Sequence, residues 1–82
     1  MKYKYVVLSK ILDENKSFVS YEASITYASN FRISYTGKVL KGYKDFIYKN
    51  EQIIDILFDE ELIVDTIDGK IILKEITAVE IL

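Results

Sequence analysis

The sequence contains no histidine, cysteine, tryptophan or proline, and it has only three glycines. Without cysteine there is no disulfide scaffold and no thiol nucleophile, and without histidine or cysteine the usual zinc ligands are missing. Histidine is also the side chain that most often acts as a general base in enzymes. Three scattered glycines do not form a glycine-rich phosphate-binding loop. These absences argue against an enzyme, and we expect neither a cofactor nor a bound metal.

The remaining composition is that of a folded protein. Half of the 82 residues are hydrophobic and 29% are charged, which is outside the range of disordered chains. This length fits a single compact β-rich domain spanning residues 1–82. The first apolar stretch, Val6-Val7-Leu8, is too short for a signal-peptide core or for a membrane span of about 20 residues. We therefore expect a cytoplasmic protein with no membrane partner.

β-Branched and aromatic residues dominate the local pattern and favour strands over helices. Within residues 18–27, positions 19–27 alternate strictly, since five apolar or aromatic side chains point one way and four polar side chains point the other. Such a period of two indicates a strand with one wet face. Residues 3–12 form a longer run in which Tyr3, Tyr5 and Val7 share one face, and a polar connection of hairpin length follows it.

The C-terminal third carries the strongest turn signal. Asp68-Gly69 between two apolar runs predicts a tight type I′ turn, in which both turn residues need a positive φ. The last run, Ile71 to Leu82, is long for a straight strand and predicts a kink near Glu75 or Thr77, with its end tied into the sheet. Earlier in the chain, Gly37 and Gly42 predict a bend or bulge in the stretch that follows residues 31–35.

Residues 43–61 fit two patterns. They read as two short strands, or as a helix that starts at Asn50 and places its apolar residues on one face. We favour strands because isoleucine-rich runs lie on both sides. The predicted fold is therefore all-β, a small antiparallel meander of six or seven strands forming a barrel or a two-layer sandwich. The alternative is an α+β fold with one short helix near residues 50–60.

Charge is divided unevenly along the chain. Residues 1–50 hold nine basic and four acidic groups, whereas residues 51–82 hold two basic and nine acidic groups. Packing of the two halves against each other would partly compensate these charges. The alternative is a molecule with a basic face and an acidic face, each able to meet a different partner.

Tyrosines interleave with lysines in the basic half, and tyrosine is enriched in protein interfaces. We predict a non-enzymatic interaction protein, of the small inhibitor or adaptor type that phage genomes often encode. It would bind a macromolecular partner or a small ligand through a surface rich in tyrosine and lysine. The predicted binding residues are Tyr3, Tyr5, Arg32, Tyr43, Lys44 and Tyr48. With no proline to block strand edges, we also expect self-association into a homo-oligomer.

Two other functions stay open. Tyrosines among lysines also suit a binder of single-stranded nucleic acid in the manner of Sm or OB-fold proteins, because bases stack on aromatic rings while cations neutralise phosphates. The second alternative is a metal-dependent hydrolase built on the acidic half, since carboxylates are ligands of Mg²⁺ and Ca²⁺. Its candidate residues are Asp55, Asp59, Glu60, Glu61, Asp65 and Asp68.

Overall fold

The computed structural model describes residues 2–82, with residues 40 and 41 described by their backbone alone. Within this range the chain forms seven strands. They are β1 (Tyr3–Leu12), β2 (Phe18–Tyr27), β3 (Arg32–Lys41), β4 (Phe46–Lys49), β5 (Ile53–Asp59), β6 (Glu61–Thr66) and β7 (Gly69–Ile81). The predicted all-β fold is confirmed. The helix considered near residues 50–60 is reduced to a 3₁₀ turn at Asn50–Gln52, after which β5 begins.

All seven strands belong to one antiparallel sheet with the order β4-β1-β2-β3-β7-β6-β5. The sheet curls into a half-barrel, so a two-layer sandwich is not formed. Two three-stranded meanders, β1-β2-β3 and β5-β6-β7, are joined where β3 pairs with β7. β4 and β5 are neighbours in the chain but lie at opposite ends of the strand order. The curl brings β4 towards the β6-β7 turn, since the hydroxyl of Tyr48 donates to the carboxylate of Asp68 over 3.5 Å.

The core fills the concave face of the half-barrel. Its buried hydrophobic residues come from every strand except β5, and half-buried residues such as Ile56 of β5 pack against them. The members are Val6, Leu8, Ala23, Ile25, Tyr35, Tyr48, Leu62, Val64, Ile71 and Leu73. Their spacing by two along each strand places them on one side of the sheet. Ala23 and Ile25 of β2 are buried in this core, as the alternation predicts. The opposite face is less wet than predicted, since Ser20 and Thr26 are each only 5% exposed.

A β-bulge in β1 overturns one facing prediction. Tyr3 pairs with Tyr27 and Tyr5 pairs with Thr26, so Lys4 is an extra residue between them. One extra residue reverses the face of every side chain on one side of it. Tyr3 therefore packs against the core, whereas Tyr5 points to the convex face. The prediction that Tyr3 and Tyr5 share a face was wrong.

The turn between β6 and β7 lies at the predicted place but has a different form. Thr66 pairs with Gly69, which makes Ile67 and Asp68 the two turn residues. Gly69 has a φ of +113°, but Asp68 does not have a positive φ, so this is not the predicted type I′ turn. The Thr66 hydroxyl accepts from the Asp68 N–H and donates to the Gly69 carbonyl. These local bonds stabilise a turn that does not need two left-handed residues.

The second half of β7 is irregular, as the sequence predicts. Thr36 pairs with Ala78 and Gly37 pairs with Ile76, which leaves Thr77 as an extra residue. Glu75 has a φ of +48°, so the strand kinks there. The strand continues to Ile81, and the N–H of Leu82 donates to the carbonyl of Arg32. In residues 2–82 there is no helix long and apolar enough to cross a membrane.

Candidate functional site

The structure divides the six predicted binding residues between the concave and convex sides of the sheet. Tyr48 is 1% exposed and belongs to the core, and Tyr3 packs against that core with its ring 5.5 Å from the ring of Tyr27. Tyr43 also packs against the core. The six residues therefore do not form one exposed surface, and the sequence interpretation needs correction at Tyr48 in particular.

Tyr43 and Lys44 are held by contacts within the chain. The ring of Tyr43 lies 4.5 Å from the ring of Tyr21, and its hydroxyl donates to Asp45. Burial, and then the hydrogen bond to Asp45, raises the pKa of Tyr43 above its ordinary value. Lys44 lies 3.8 Å from the Asp68 carboxylate and 5.4 Å from the centre of the Phe46 ring. These contacts hold the segment between β3 and β4 against β2 and the β6-β7 turn.

Tyr5 and Arg32, by contrast, come together on the convex face. Tyr5 pairs with Thr26 on one side and with Lys49 on the other, and Thr26 pairs with Arg32. Directly opposed residues lie on the same face of a sheet. Four strands thus align one row on the convex face, in the order Lys49, Tyr5, Thr26 and Arg32. We call these four residues the convex row.

A cleft of about 250 Å³ opens along the convex row. It is lined by Tyr5, Thr26, Asn30, Arg32 and Leu82. Leu82 is brought there because its backbone pairs with Arg32 at the end of the sheet. The space is smaller than the roughly 300–1,000 Å³ of typical small-molecule pockets. It is therefore suited to one side chain or one small group.

The hydroxyl of Thr26 is the most unusual atom in this cleft. Thr26 is 5% exposed, and its Oγ1 is buried without a hydrogen-bond partner among the described residues. A buried hydroxyl without a partner costs about 1–3 kcal/mol. The cleft is therefore lined by a residue whose buried hydroxyl lacks a partner among the described residues.

The electrostatic character of the cleft is cationic. Arg32 forms no ion pair with any described side chain, and Lys49 lies in the same row. The Lys4 ammonium donates to the Asn30 side-chain oxygen over 3.0 Å, which adds a cation at the rim. By register, Glu80 lies one row away, opposite Ser34. Unpaired guanidinium groups bind carboxylates and phosphates through two parallel hydrogen bonds.

The acidic residues considered for a metal site follow the β5-β6 hairpin. Asp55 pairs with Asp65, and Asp59 pairs with Glu61. In the described part of the chain, no three acidic residues are grouped so that they could hold a metal ion. The structure therefore gives the hydrolase alternative no assembled centre.

A serine–carboxylate contact also lies on the convex face. The Ser34 hydroxyl donates to Glu22 over 3.0 Å. Nucleophilic serines in enzymes are activated by a base that is itself oriented by a third group. Ser34 and Glu22 lie partly buried on neighbouring strands, where polar groups need a hydrogen-bond partner. Their contact is explained by this need and does not require a catalytic role.

Comparison with known protein families, curated proteins and solved structures finds no match to this chain. The candidate site is therefore defined by geometry alone. Sequence reasoning identified Tyr5 and Arg32 but missed Thr26, Asn30 and Leu82. The alternation of residues 18–27 placed Thr26 on the polar face, and nothing in that pattern showed that Leu82 and Arg32 would lie close to it.

Proposed function

We propose that this chain is a non-enzymatic interaction protein whose cleft binds an acidic side chain of a protein partner. The observation that carries the proposal is the unpaired Arg32 guanidinium beside the buried, unpartnered hydroxyl of Thr26. A carboxylate is acceptor-only: it can accept from Arg32 directly, and from Thr26 once rotation of that side chain turns its hydroxyl into the cleft. Tyr5, which is 37% exposed, adds an aromatic wall of the kind that is enriched at binding hot spots.

The size of the cleft favours a macromolecular partner over a small ligand. About 250 Å³ accommodates one glutamate or aspartate side chain, while the rest of the partner lies over the convex row. The exposed cations at Lys4 and Lys49 then steer an acidic segment towards the cleft.

The same geometry is less suited to single-stranded nucleic acid. A stacking platform needs several aromatic rings in succession on the binding face. The convex row contains a single ring, that of Tyr5, because Tyr3 and Tyr27 pack on the concave side. A single ring therefore favours a protein partner over a nucleic acid.

The test is binding of a fluorescent glutamate-rich peptide, measured by anisotropy at low and moderate salt. Arg32→Gln should weaken binding by roughly tenfold, since it removes the charge-assisted pair. Lys38→Gln is the matched control, because it removes one exposed positive charge from the same strand about 20 Å away. Its affinity should stay within about twofold of the unmodified chain.

Equal affinity of both variants would contradict the proposal, as would equal binding of a glutamine-rich peptide. Tighter binding of a single-stranded RNA of the same charge would favour the nucleic-acid alternative instead. Arg32 is exposed, so neither variant should change the urea midpoint appreciably.

A further inference from the structure

The edge of the sheet formed by β5 has no strand beside it among the described residues. β5 is the last strand in the order and pairs only with β6. An unpaired edge presents backbone N–H and C=O groups that another extended chain can bind. The Ile56 N–H is not one of the free groups, because it already donates to the Asp55 side chain over 2.8 Å. β5 is seven residues long, which is sufficient for a ladder with an added strand.

This edge is also apolar and exposed. Ile54 is 62% exposed, Leu57 is 57% exposed and Phe58 is 48% exposed. Leu57 lies on the convex side opposite Ile63, whereas Phe58 lies on the concave side with its ring 5.0 Å from the ring of Tyr35. Apolar contact is therefore offered on both faces of the edge strand. Successive side chains of an added strand point to opposite faces, so they would cover Leu57 on the convex face and Phe58 on the concave face.

The charge of the hairpin is entirely negative. Residues 50–69 contain seven acidic residues and no lysine or arginine. Asp55 lies opposite Asp65, and Asp59 lies opposite Glu61, so two like-charge pairs face each other across the strands. Such pairs destabilise a sheet. Lys70, which pairs with Asp65, is the one cation that the register places next to these acids.

A second copy pairing through the same edge does not relieve this repulsion. In an antiparallel pair with Leu57 opposite Leu57, Asp55 of one copy lies opposite Asp59 of the other. Neither strand supplies a cation in any register, because β5 contains none. The charges thus disfavour β5–β5 pairing and favour a basic strand.

From these observations we infer that the free edge of β5 binds an extended basic segment of a partner protein as an eighth strand. Lysine or arginine at alternate positions would lie on the convex side with Asp55 and Asp59, and apolar residues would lie on the concave side with Phe58. No residue that lines the cleft belongs to β5 or β6. This interaction is therefore separate from the proposed function of the cleft.

The probe is a short peptide of alternating lysine and valine, with binding to the full chain followed by anisotropy and by amide shifts in NMR spectra. Shifts should concentrate on residues 53–59, and amide exchange on β5 should slow. A peptide with glutamate in place of lysine should bind at least about tenfold more weakly. A lysine–valine peptide with N-methylated backbone amides should also lose affinity, since it cannot form the ladder.

The variant Asp55→Lys with Asp59→Lys should lower affinity for the lysine–valine peptide by roughly tenfold or more. Glu14→Lys with Glu80→Lys is the matched control, because it makes the same charge change at two exposed acids outside the β5-β6 hairpin. Equal loss in both double variants would overturn the inference, since net charge alone would then explain binding. Peptide shifts that map away from β5 would overturn it as well.

Two measurements on the unmodified chain test the same interaction without the Asp55 and Asp59 variant. The comparison of the three peptides uses the unmodified chain and needs no variant. Sedimentation of the free chain then reports whether a second copy already covers the edge. A dimer in which β5 amides are protected without peptide would overturn the inference in favour of self-association.

Discussion

The hydroxyl of Tyr48 in β4 donates to the carboxylate of Asp68 in the β6-β7 turn over 3.5 Å. This contact joins one end of the strand order to a turn near the other end, and the ring of Tyr48 fills the core between them. The hydrogen bond is long, so the ring contributes more to stability than the hydroxyl does.

Tyr48→Ala should therefore lower the free energy of unfolding by about 3–5 kcal/mol, the usual cost of removing a large aromatic ring from a core. Tyr48→Phe should cost less than about 1 kcal/mol, because it keeps the ring and loses only a weak hydrogen bond. Urea denaturation followed by circular dichroism measures both. Similar large losses in the two variants would show that the Asp68 contact, and not the ring, holds β4 in place.

Replacement of the unpartnered hydroxyl in the cleft should separate stability from binding. Thr26→Val removes Oγ1 while keeping a β-branched side chain, so the free chain should gain about 1 kcal/mol of stability. Affinity for the glutamate-rich peptide should fall at the same time, because the hydroxyl is a proposed donor to the carboxylate. Urea midpoints and anisotropy titrations of the same samples test both statements.

Thr66→Val is the control for that prediction. Thr66 is also buried, but its hydroxyl accepts from Asp68 and donates to Gly69. The same chemical change should therefore destabilise the chain, by about 1–3 kcal/mol, because two backbone groups lose their partner. A gain of stability at Thr66, or a loss at Thr26, would contradict the hydrogen-bond assignments.

The strands were predictable because their side chains alternate with a period of two, which residues 19–27 show without interruption. The kink at Glu75 was predictable from the length of the last run. The face of Tyr3 was not, because a bulge at Lys4 depends on how β1 pairs with β2 and not on β1 alone. The form of the Asp68 turn depended on the Thr66 hydroxyl, which competes with the local preference for a type I′ turn.

The candidate site was predictable only in its residue types. Tyr5 and Arg32 lie 27 positions apart in the sequence, and Thr26 comes between them only because β2 pairs with both β1 and β3. Tyr48 was misplaced because tyrosines among lysines suggest a surface, whereas alternation across Phe46, Ile47 and Tyr48 could not show which face was covered. The curl of the sheet determines which face is covered, and it covers the face that carries Tyr48.

A close approach at Gly37 leads to another prediction. A Cβ atom at this position would lie 2.6 Å from the carbonyl oxygen of Lys74 and 2.8 Å from Cγ of Leu73. Gly37→Ala should therefore push β3 and β7 apart beside the β7 bulge and cost about 3 kcal/mol or more. Lys38→Ala, at the exposed neighbouring position, should cost less than about 0.5 kcal/mol. Equal urea midpoints for the two variants would contradict this packing.

Alkaline pH should destabilise the fold. Burial raises the pKa of Tyr27, Tyr35 and Tyr43 above the ordinary value of 10.0. Above that pH the unfolded chain releases these protons while the native chain keeps them, so stability falls as pH rises. The stability that depends on these protonated tyrosines is fully present below pH 10.0. It is lost as the pH rises through their raised native pKa values.

Urea midpoints at about pH 8 and about pH 11 should show this loss, and tyrosinate absorbance should rise together with unfolding. In Tyr35→Phe the midpoint at the lower pH should change little, since no described residue bonds the Tyr35 hydroxyl. The fall in stability between the two pH values should become smaller, because one of the three groups no longer titrates. An unchanged fall would show that ionisation of Tyr35 is not coupled to unfolding.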